Sequence, residues 1–563
     1  TAPFRQGGLL DGKGLMAELK IITEKEIGNA WETLRRYKQG KTSLENRIVE
    51  EEMFFKQRHW EILRKPGDPI KPTSGWMFNS IVNKHADAMD NYPEAICLPR
   101  EESDEECAQS LTNIIPVVLQ RNNFEDTYSD NWWYKLKHGA CAYGIFWDNK
   151  AEHGLGDVLV NKIDLLNIFW EPGIRDIQKS RNLFICDLVH LDVIKSMYPD
   201  KNIVGSAETE IKKYIYDDNV DTSDKVLVVD WYYKKGDKLH FCKFCENNVL
   251  FASENDPAYN NGWYEDGEYP IEFDVLYPEE GTPVGFGIIS ITKDAQLYID
   301  TLDNLIMDYT NAAARARFLV KKGSGINEKD VLDPNKAVIE IDEGVDERRI
   351  KQFSLNTLNG YIMNFRETKV DELKETSSNR DFSQGGTMGG VTSGAAIAVL
   401  QEAGNKTSRD MSDASYRVYQ RVVHKVIERM RQFYNAERVF RITGENGNNE
   451  DVKFSNASLI NQPMGRPVFD IEVKAQKQNP YSTLSQNETI MNLYSAGLFA
   501  PENAQAAMVV LELMNFEGKK KAMEFVKQGM TLQNQLMQMQ QEMQMMMQEN
   551  AMLKGVGMEM PVA

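Results

Sequence analysis

Positions 380–396 read RDFSQGGTMGGVTSGAA, a stretch whose spacing could serve chemistry. Gly385-x-x-x-x-Gly390 matches the first half of a phosphate-binding loop, in which backbone N–H groups at a helix N-terminus hold phosphate oxygens. The second half is missing. Val391-Thr392 stands where a Lys-Ser/Thr pair would reach the terminal phosphates, and the preceding VDELKETSSN is the polar end of a helix where a hydrophobic strand is required. The stretch is therefore expected to be a long, nearly uncharged connection between two helices, and such loops in folded domains commonly carry function.

No other pattern completes a catalytic set. Nucleophile elbows, zinc-protease helices, kinase loops and dinucleotide fingerprints are absent. The seven histidines are scattered, none has a second histidine three or four residues on, and His424 reads as a core or surface residue of a helix. Cys242-Lys-Phe-Cys245 has ligand-like spacing but no second pair, and two residues three apart on a strand face opposite ways. Asp217, Asn219 and Asp221 fall at positions 1, 3 and 5 of a calcium loop, yet Thr222 and Val228 occupy the positions that need Gly and Glu. Glu50-Glu51-Glu52 reads as a solvated helix face, and Ser103-Asp-Glu-Glu106 as a capping box opening a helix. The expectation is no catalytic residue, no metal and no cofactor.

Composition narrows the classes further. With 563 residues, 42% hydrophobic and 10% aromatic, the chain can bury several cores. No run of about 18 apolar residues is present, and TAPFRQGGLLDGKG lacks the apolar stretch of a signal peptide, so a soluble, non-secreted protein without membrane contact is expected. Six cysteines in such a length fit a reducing compartment. A net charge of −19 argues against a sequence-reading DNA-binding protein, whose basic face would supply phosphate contacts. It is compatible with DNA as a passenger, because every Lys or Arg contact to phosphate would hold a strand that has to slide.

The elements that must position these features change along the chain. Residues 23–63 read as two charged helices joined near Gly40, with Thr42 or Ser43 as N-cap of the second. WMFNSIVNKHADAMDNYP reads as a helix with a Phe78, Ile81/Val82, His85, Met89 stripe. From 156 to 275 short runs such as DVLVNKI, LFICDLVHL and KVLVVDWYYKKGDKLHFCKFC predict an antiparallel sheet with a hairpin turn at KKGDK. Residues 290–320 predict a helix with Ala295, Ile299, Leu302, Leu305/Ile306, Tyr309 and Ala313 on one stripe; an insert with the strand AVIEI follows, and 357–378 return as a second helix. The longest helical pattern covers 394–434, with Met411, Ala414, Val418, Val422, Val426, Met430 and Phe433 in step; it predicts a spine about 60 Å long. β character resumes in RVFRIT and PVFDIEVKAQ. Finally Leu532, Leu536, Met539, Met543, Met546, Asn550 and Leu553 alternate four- and three-residue steps, a coiled-coil seam whose expected partner is another copy of itself, the alternative being a floppy Gln/Met tail.

This order of elements resembles the portal proteins of tailed bacteriophages, the head-to-tail connectors. FFKQRHW (Phe54, Phe55, Trp60) is similar to the aromatic-pair-to-tryptophan signature near the start of many portals, and NSIVNKHADAMDNYP to the helix that follows it. IDLLNIFWEPGIRDIQKSRNLFICDLV is similar to the segment where a strand meets a Trp/Asp-Pro turn, with Glu171 in place of the usual Asp. The strongest part is the run of helix, insert, helix, Gly-rich loop and long helix.

The resemblance implies an α+β, mainly helical portal fold with wing, stem, clip and crown. On that reading 1–284 and 435–480 form the wing, 285–318 and 357–378 the stem, and 319–356 the clip. Residues 379–393 form a tunnel loop, 394–434 the spine helix, 481–529 the crown and 530–563 a C-terminal barrel. It implies a non-enzymatic homo-oligomer of twelve subunits at one capsid vertex of the virion, assembled in the host bacterial cytoplasm. Double-stranded DNA would pass through it without sequence readout during packaging and ejection. Partners would be the terminase large subunit, head-tail adaptor and tail proteins, and the major capsid and scaffold proteins. The implied channel residues are Arg380, Phe382, Gln384, Gly385, Gly386, Thr387, Met388, Gly389 and Gly390; Lys321, Lys322, Arg348 and Arg349 would serve partner docking or DNA contact, or solvate a turn. Twelve copies at −19 would carry about 228 negative charges (twelve times nineteen), which discourages DNA from adhering. Two other readings stay open: a nucleic-acid packaging ATPase with the glycine stretch as its nucleotide site, and another homo-oligomeric capsid-associated scaffold.

Overall fold

The structure is a computed structural model. It describes residues 22–63, 71–101, 104–205, 224–314, 317–320, 350–353, 358–378, 406–443, 449–460, 468–477 and 537–549, with isolated positions between 491 and 535. The chain divides into two compact units, Thr1–Gln476 and Lys477–Ala563. In chain order the first contains α1 (Glu24–Phe55), α2 (His59–Leu63), α3 (Trp76–Met89), β1 (Asn91–Pro99), α4 (Glu105–Arg121), α5 (Phe124–His138), β2 (Ala140–Asp148), β3 (Asp157–Ile163), β4 (Ile168–Trp170), β5 (Asn182–His190), α6 (Leu191–Met197), β6 (Lys225–Lys235), β7 (Lys238–Cys245), β8 (Asn248–Ala252), β9 (Ile271–Val275), α7 (Ile288–Ala314), β10 (Arg317–Val320), β11 (Ile350–Phe353), α8 (Gly360–Thr376), α9 (Lys406–Phe433), β12 (Arg438–Thr443), β13 (Asn449–Phe454), α10 (Ala457–Ile460) and β14 (Phe469–Lys477). This is a mixed helix-and-sheet architecture.

Two antiparallel sheets carry the middle of the chain, one in the order β3-β2-β9 and one in the order β4-β5-β6-β7-β8. The turn predicted at KKGDK is a two-residue hairpin: Lys235 pairs with Lys238, and Gly236 takes the positive φ (65°) that such a turn demands. One face of the larger sheet buries Phe184, Cys186, Val229, Cys242 and Phe244 beneath Ile27, Ala30, Leu34 and Tyr37 of α1. Cys245 is buried in a different cluster, with Ile194 and Val226. The two cysteines therefore point to opposite faces, as their spacing requires. The main core is built from α3, α4, α5, the smaller sheet and α9.

Several expectations are corrected. Residues 24–55 form one helix, not two. Thr23 caps it, its backbone N–H donating to the Glu26 carboxylate at 3.1 Å, and Thr42 sits inside it with its hydroxyl on the Lys38 carbonyl at 3.3 Å. Gly40 is present for packing: a Cβ there would lie 2.7 Å from Cγ of Pro172. In α3 the buried stripe is Met77, Ser80, Ile81, Lys84, His85 and Ala88, leaving Phe78 exposed at 39%; the helix turns its polar residues inward because Lys84 finds Ser408 Oγ at 2.9 Å. α4 starts at Glu105 with Asp104 as N-cap; Ser103 of the expected capping box lies outside the described residues. Strands also begin earlier than 156, since β1 and β2 precede it.

Candidate functional site

The element that stands out is a helical hairpin, α7 with α8, rooted in the first unit by buried polar contacts. Its root depends on close backbone approach. A Cβ on Gly287 would meet the Lys137 carbonyl at 2.3 Å, Phe286 donates its N–H to Tyr277 at 3.0 Å, and Arg47 Nη2 donates to the Gly285 carbonyl at 2.6 Å. Only a Gly-Phe-Gly sequence lets this segment lie against the end of α5 and launch α7.

Two histidine–carboxylate sites then fix the first turns. Ser290 Oγ donates to the Glu51 carboxylate, which also lies 3.0 Å from His138 Nδ1. Neighbouring Glu52 accepts from Lys137 Nζ at 2.7 Å. Burial opposes the charge on Glu52, but hydrogen bonding from His138 and the positive Lys137 outweigh it and pull the carboxyl down to about 2. Further along, fully buried Asp300 accepts from Ser74 N (2.8 Å), Ser74 Oγ (2.7 Å) and Gln296 Nε2 (2.9 Å), with His59 Nε2 3.0 Å away. Such a carboxylate tolerates burial only because it is surrounded by donors.

Beyond Asp300 the character of α7 changes: none of its residues from Thr301 to Ala314 is buried. Leu305 and Met307 are 54% and 51% exposed, and on α8 Tyr361, Met363 and Phe365 are 68%, 43% and 37% exposed. The two helices hold each other through Arg366, whose guanidinium grips both carboxylate oxygens of Asp303, and through Val370 and Leu373 packed on Ile299. β10 and β11 continue the hairpin as an antiparallel pair in which Val320 faces Ile350.

α9 crosses the smaller sheet. Its described part, 28 residues, is about 42 Å long. The predicted apolar stripe is present in buried Met411, Val418, Val422, Val426 and Met430. A second stripe was missed. Arg421 Nε meets Glu272 at 2.9 Å, Lys425 donates to Glu268 and lies 3.4 Å from Glu272, and Arg429 meets Asp266 at 2.9 Å while covering the Tyr264 ring at 3.4 Å. Nearer the start of α9, Lys135, Asp274 and Ser415 close a buried triangle: Lys135 Nζ lies 2.8 Å from Asp274 and 2.6 Å from Ser415, whose hydroxyl donates to Asp274 at 2.6 Å. The signal was available in the basic residues spaced every four positions, and in EDGEYPIEFD, which supplies the acids.

Most of the predicted site lies outside the described residues. This holds for Arg380, Phe382, Gln384, Gly385, Gly386, Thr387, Met388, Gly389 and Gly390, for Lys321, Lys322, Arg348 and Arg349, for the strand AVIEI, and for Leu532, Leu536, Asn550 and Leu553. In the second unit the helical stretch 537–549 is described, and Met539, Met543 and Met546 on it are 61%, 54% and 59% exposed. His424 is exposed on α9.

No curated protein matches the chain. Among solved structures, a chain of the "Virion of native gene transfer agent (GTA) particle" is similar at 10% identity and a TM-score of 0.35, over 77% of this chain and 93% of that one. The model of the phage P22-like portal protein family matches residues 80–277 and 235–561. Most of the length is covered by that match, and the chain belongs to the P22-like portal proteins, structural proteins of phage virions.

Proposed function

We propose that this protein forms a closed ring at one capsid vertex and conducts double-stranded DNA through its axis during packaging and ejection. Family membership supports a capsid-associated oligomer, and the observation that carries the finer reading is the α7–α8 hairpin. Its outer half presents Leu305, Met307, Tyr361, Met363 and Phe365 without burying them in its own chain, as a wall segment that packs against copies of itself would. On this reading 285–318 and 357–378 are the stem, and the β10–β11 pair is the base of a clip (319–356) that docks the packaging terminase and later the adaptor and tail. Residues 379–393 are the tunnel loop and 394–434 the spine. Residues 1–284 and 435–480 make the wing, 481–529 the crown and 530–563 the C-terminal barrel.

Charge fits a conduit. From Thr301 to Ala314, α7 carries Asp303 and Asp308 and no basic residue. The loop 382–392 carries no charge at all. Neither would hold phosphates, and repulsion reaching about 8 Å at physiological salt acts on DNA already inside the ring. Electron microscopy of the purified full chain tests the proposal: rings of about twelve subunits with an axial hole are expected, and monomers or filaments would overturn it. For the docking role, Lys321→Glu, Lys322→Glu, Arg348→Glu and Arg349→Glu together should abolish terminase binding while leaving rings intact; unchanged binding would remove these residues from the interface.

A further inference from the structure

The larger sheet ends on β8. In the order β4-β5-β6-β7-β8 that strand is paired by β7 on one side, and among the described residues no backbone hydrogen bond reaches its outer edge. A bare edge leaves peptide N–H and C=O groups without strand partners, and folded proteins commonly pair or cover it. Along β8 runs a groove of about 980 Å3, lined by β8 itself and by Ile22–Lys25, where the chain enters α1. That is about thirty waters' share of liquid, room for a short run of polypeptide.

The rim of the groove is built like the end of a strand. Buried Ile22 donates its N–H to Asn255 Oδ1 at 3.0 Å and accepts from Asn255 Nδ2 at 3.1 Å, the pair of bonds a neighbouring strand would give. Thr23 is extended (φ −122°, ψ 179°) and caps α1, so Ile22-Thr23 has the length and the N-cap of a strand-to-helix connection. Two contacts fix the direction. Ile22 sits beside Asn255, past the end of β8, whereas Trp31 Nε1, farther along α1, donates at 2.9 Å to the carbonyl of Glu246, ahead of its start. α1 therefore runs antiparallel to β8, and a strand leading into it through so short a connection would run parallel to β8.

The sequence supplies such a strand. Ala17-Glu18-Leu19-Lys20-Ile21, immediately before Ile22 and outside the described residues, alternates apolar with polar at period two, and Gly12 and Gly14 precede it. The extended Thr23 prevents this stretch from continuing α1. Five residues span about 17 Å, the length of β8. We propose that residues 17–21 add a sixth strand to the larger sheet, parallel to β8 and in the groove of their own chain. Ala17, Leu19 and Ile21 would extend the cluster of Ile22, Ile27, Val249 and Ala252 between α1 and the sheet. The same chain is the occupant because the segment is delivered covalently at the rim, an advantage in effective concentration over any other copy. The added strand closes an edge that would otherwise pair with the wrong chain where many copies crowd together.

Hydrogen–deuterium exchange of the full-length protein tests this. Amides of 17–21 and of β8 should be protected. Glu18→Pro with Leu19→Pro, adjacent positions of which one N–H must face β8, should speed exchange in both segments at least about tenfold while leaving β6 unchanged. Glu18→Thr with Leu19→Val, which suits a strand, should keep the protection and separates loss of the strand from mere substitution. p-Benzoylphenylalanine at position 19 should photo-cross-link to residues 247–252 within one chain. β8 exchange that ignores the double proline, a cross-link elsewhere in the chain, or a cross-link joining two chains would overturn the proposal; the last would assign the groove to the same segment of a neighbouring copy.

Discussion

Replacing Lys135 by Met tests whether α9 is held to the sheet by the buried triangle. Lys135 and Asp274 are 0% and 1% exposed, and Ser415 is 2% exposed. Methionine conserves most of the side-chain volume, so the perturbation is chiefly loss of the ammonium. Asp274 would keep only the Ser415 hydroxyl, at 2.6 Å, against a buried negative charge. Breaking one partner of a buried pair costs about 3–5 kcal/mol, whereas removing both charges together costs much less. Lys135→Met and Asp274→Asn should therefore each lower stability by about 3–5 kcal/mol, and the double variant should lose clearly less than their sum. Urea unfolding followed by tryptophan fluorescence reads this directly, since all nine tryptophans lie between Trp31 and Trp263. An internal comparison is Arg100 with Asp470, at a similar 2.6 Å but 57% and 59% exposed, where Arg100→Met should produce no measurable loss. A loss below about 1 kcal/mol for Lys135→Met, or strict additivity in the double variant, would refute the account.

Three more outcomes are expected. Leu305→Asp combined with Phe365→Asp puts charges on the exposed face of the hairpin, at a cost of several kcal/mol if that face is buried between copies; light scattering should show monomers with an unchanged circular dichroism melt, and persistent rings would count against the stem assignment. Gly287→Ala drives a Cβ to 2.3 Å from the Lys137 carbonyl, and its thermal midpoint should fall with a loss of about 1–3 kcal/mol. Lys41, on the buried face of α1 with its ammonium donating to the Leu165 carbonyl and, at 2.6 Å, to the Ile168 carbonyl, is pushed by burial from 10.5 down to about 8. Between those values the unfolded chain still holds the proton that the folded chain has released, so stability rises with pH there; the gap between wild type and Lys41→Met should shift in favour of wild type by up to about 3 kcal/mol from pH 8 to 10.5, and a constant gap would refute the assignment.

Local chemistry was legible where neighbours in sequence decide it. Alternation placed the strands of the central sheet, and Gly236-Asp237 fixed its hairpin. Legibility failed where the deciding neighbour is distant. Gly40 looked like a helix break because propensity is a weak prior, and its reason is Pro172, far along the chain. The α3 stripe held at Ile81 and His85 but missed Ser80 and Lys84, because Lys84 is buried on a polar partner, which hydropathy scores as surface. The apolar stripe of α7 was read as continuous through Leu302, Leu305 and Tyr309, whereas burial within the chain stops at Asp300. Periodicity reports that a face wants a partner; it does not say whether the partner is in the same chain.

The buried ion pairs bear on why so acidic a chain keeps a row of basic residues on its longest described helix. Among the described residues, Lys41, Lys84, Lys135, Lys425, Arg429, Arg431 and Arg438 are buried, and so are Glu45, Glu51, Asp104, Asp157, Glu272, Asp274 and Asp300. Seven cations against seven carboxylates means that burial there withdraws no net charge, so the excess of −19 is left to the rest of the chain. Lys425 and Arg429 are therefore not surface cations that happen to face inward; each is matched by Glu268, Glu272 or Asp266 at the junction of α9 and the sheet. A helix pinned only by apolar contacts could slip by a turn at modest cost, because methyl groups are interchangeable. A slip by one turn here would set Arg429 against the partners of Lys425 and leave one carboxylate buried without its cation, costing several kcal/mol. In the proposed conduit, the ion-pair row gives the spine a single register while keeping its cations away from a passing polyanion, two requirements that exposed lysines would satisfy badly together.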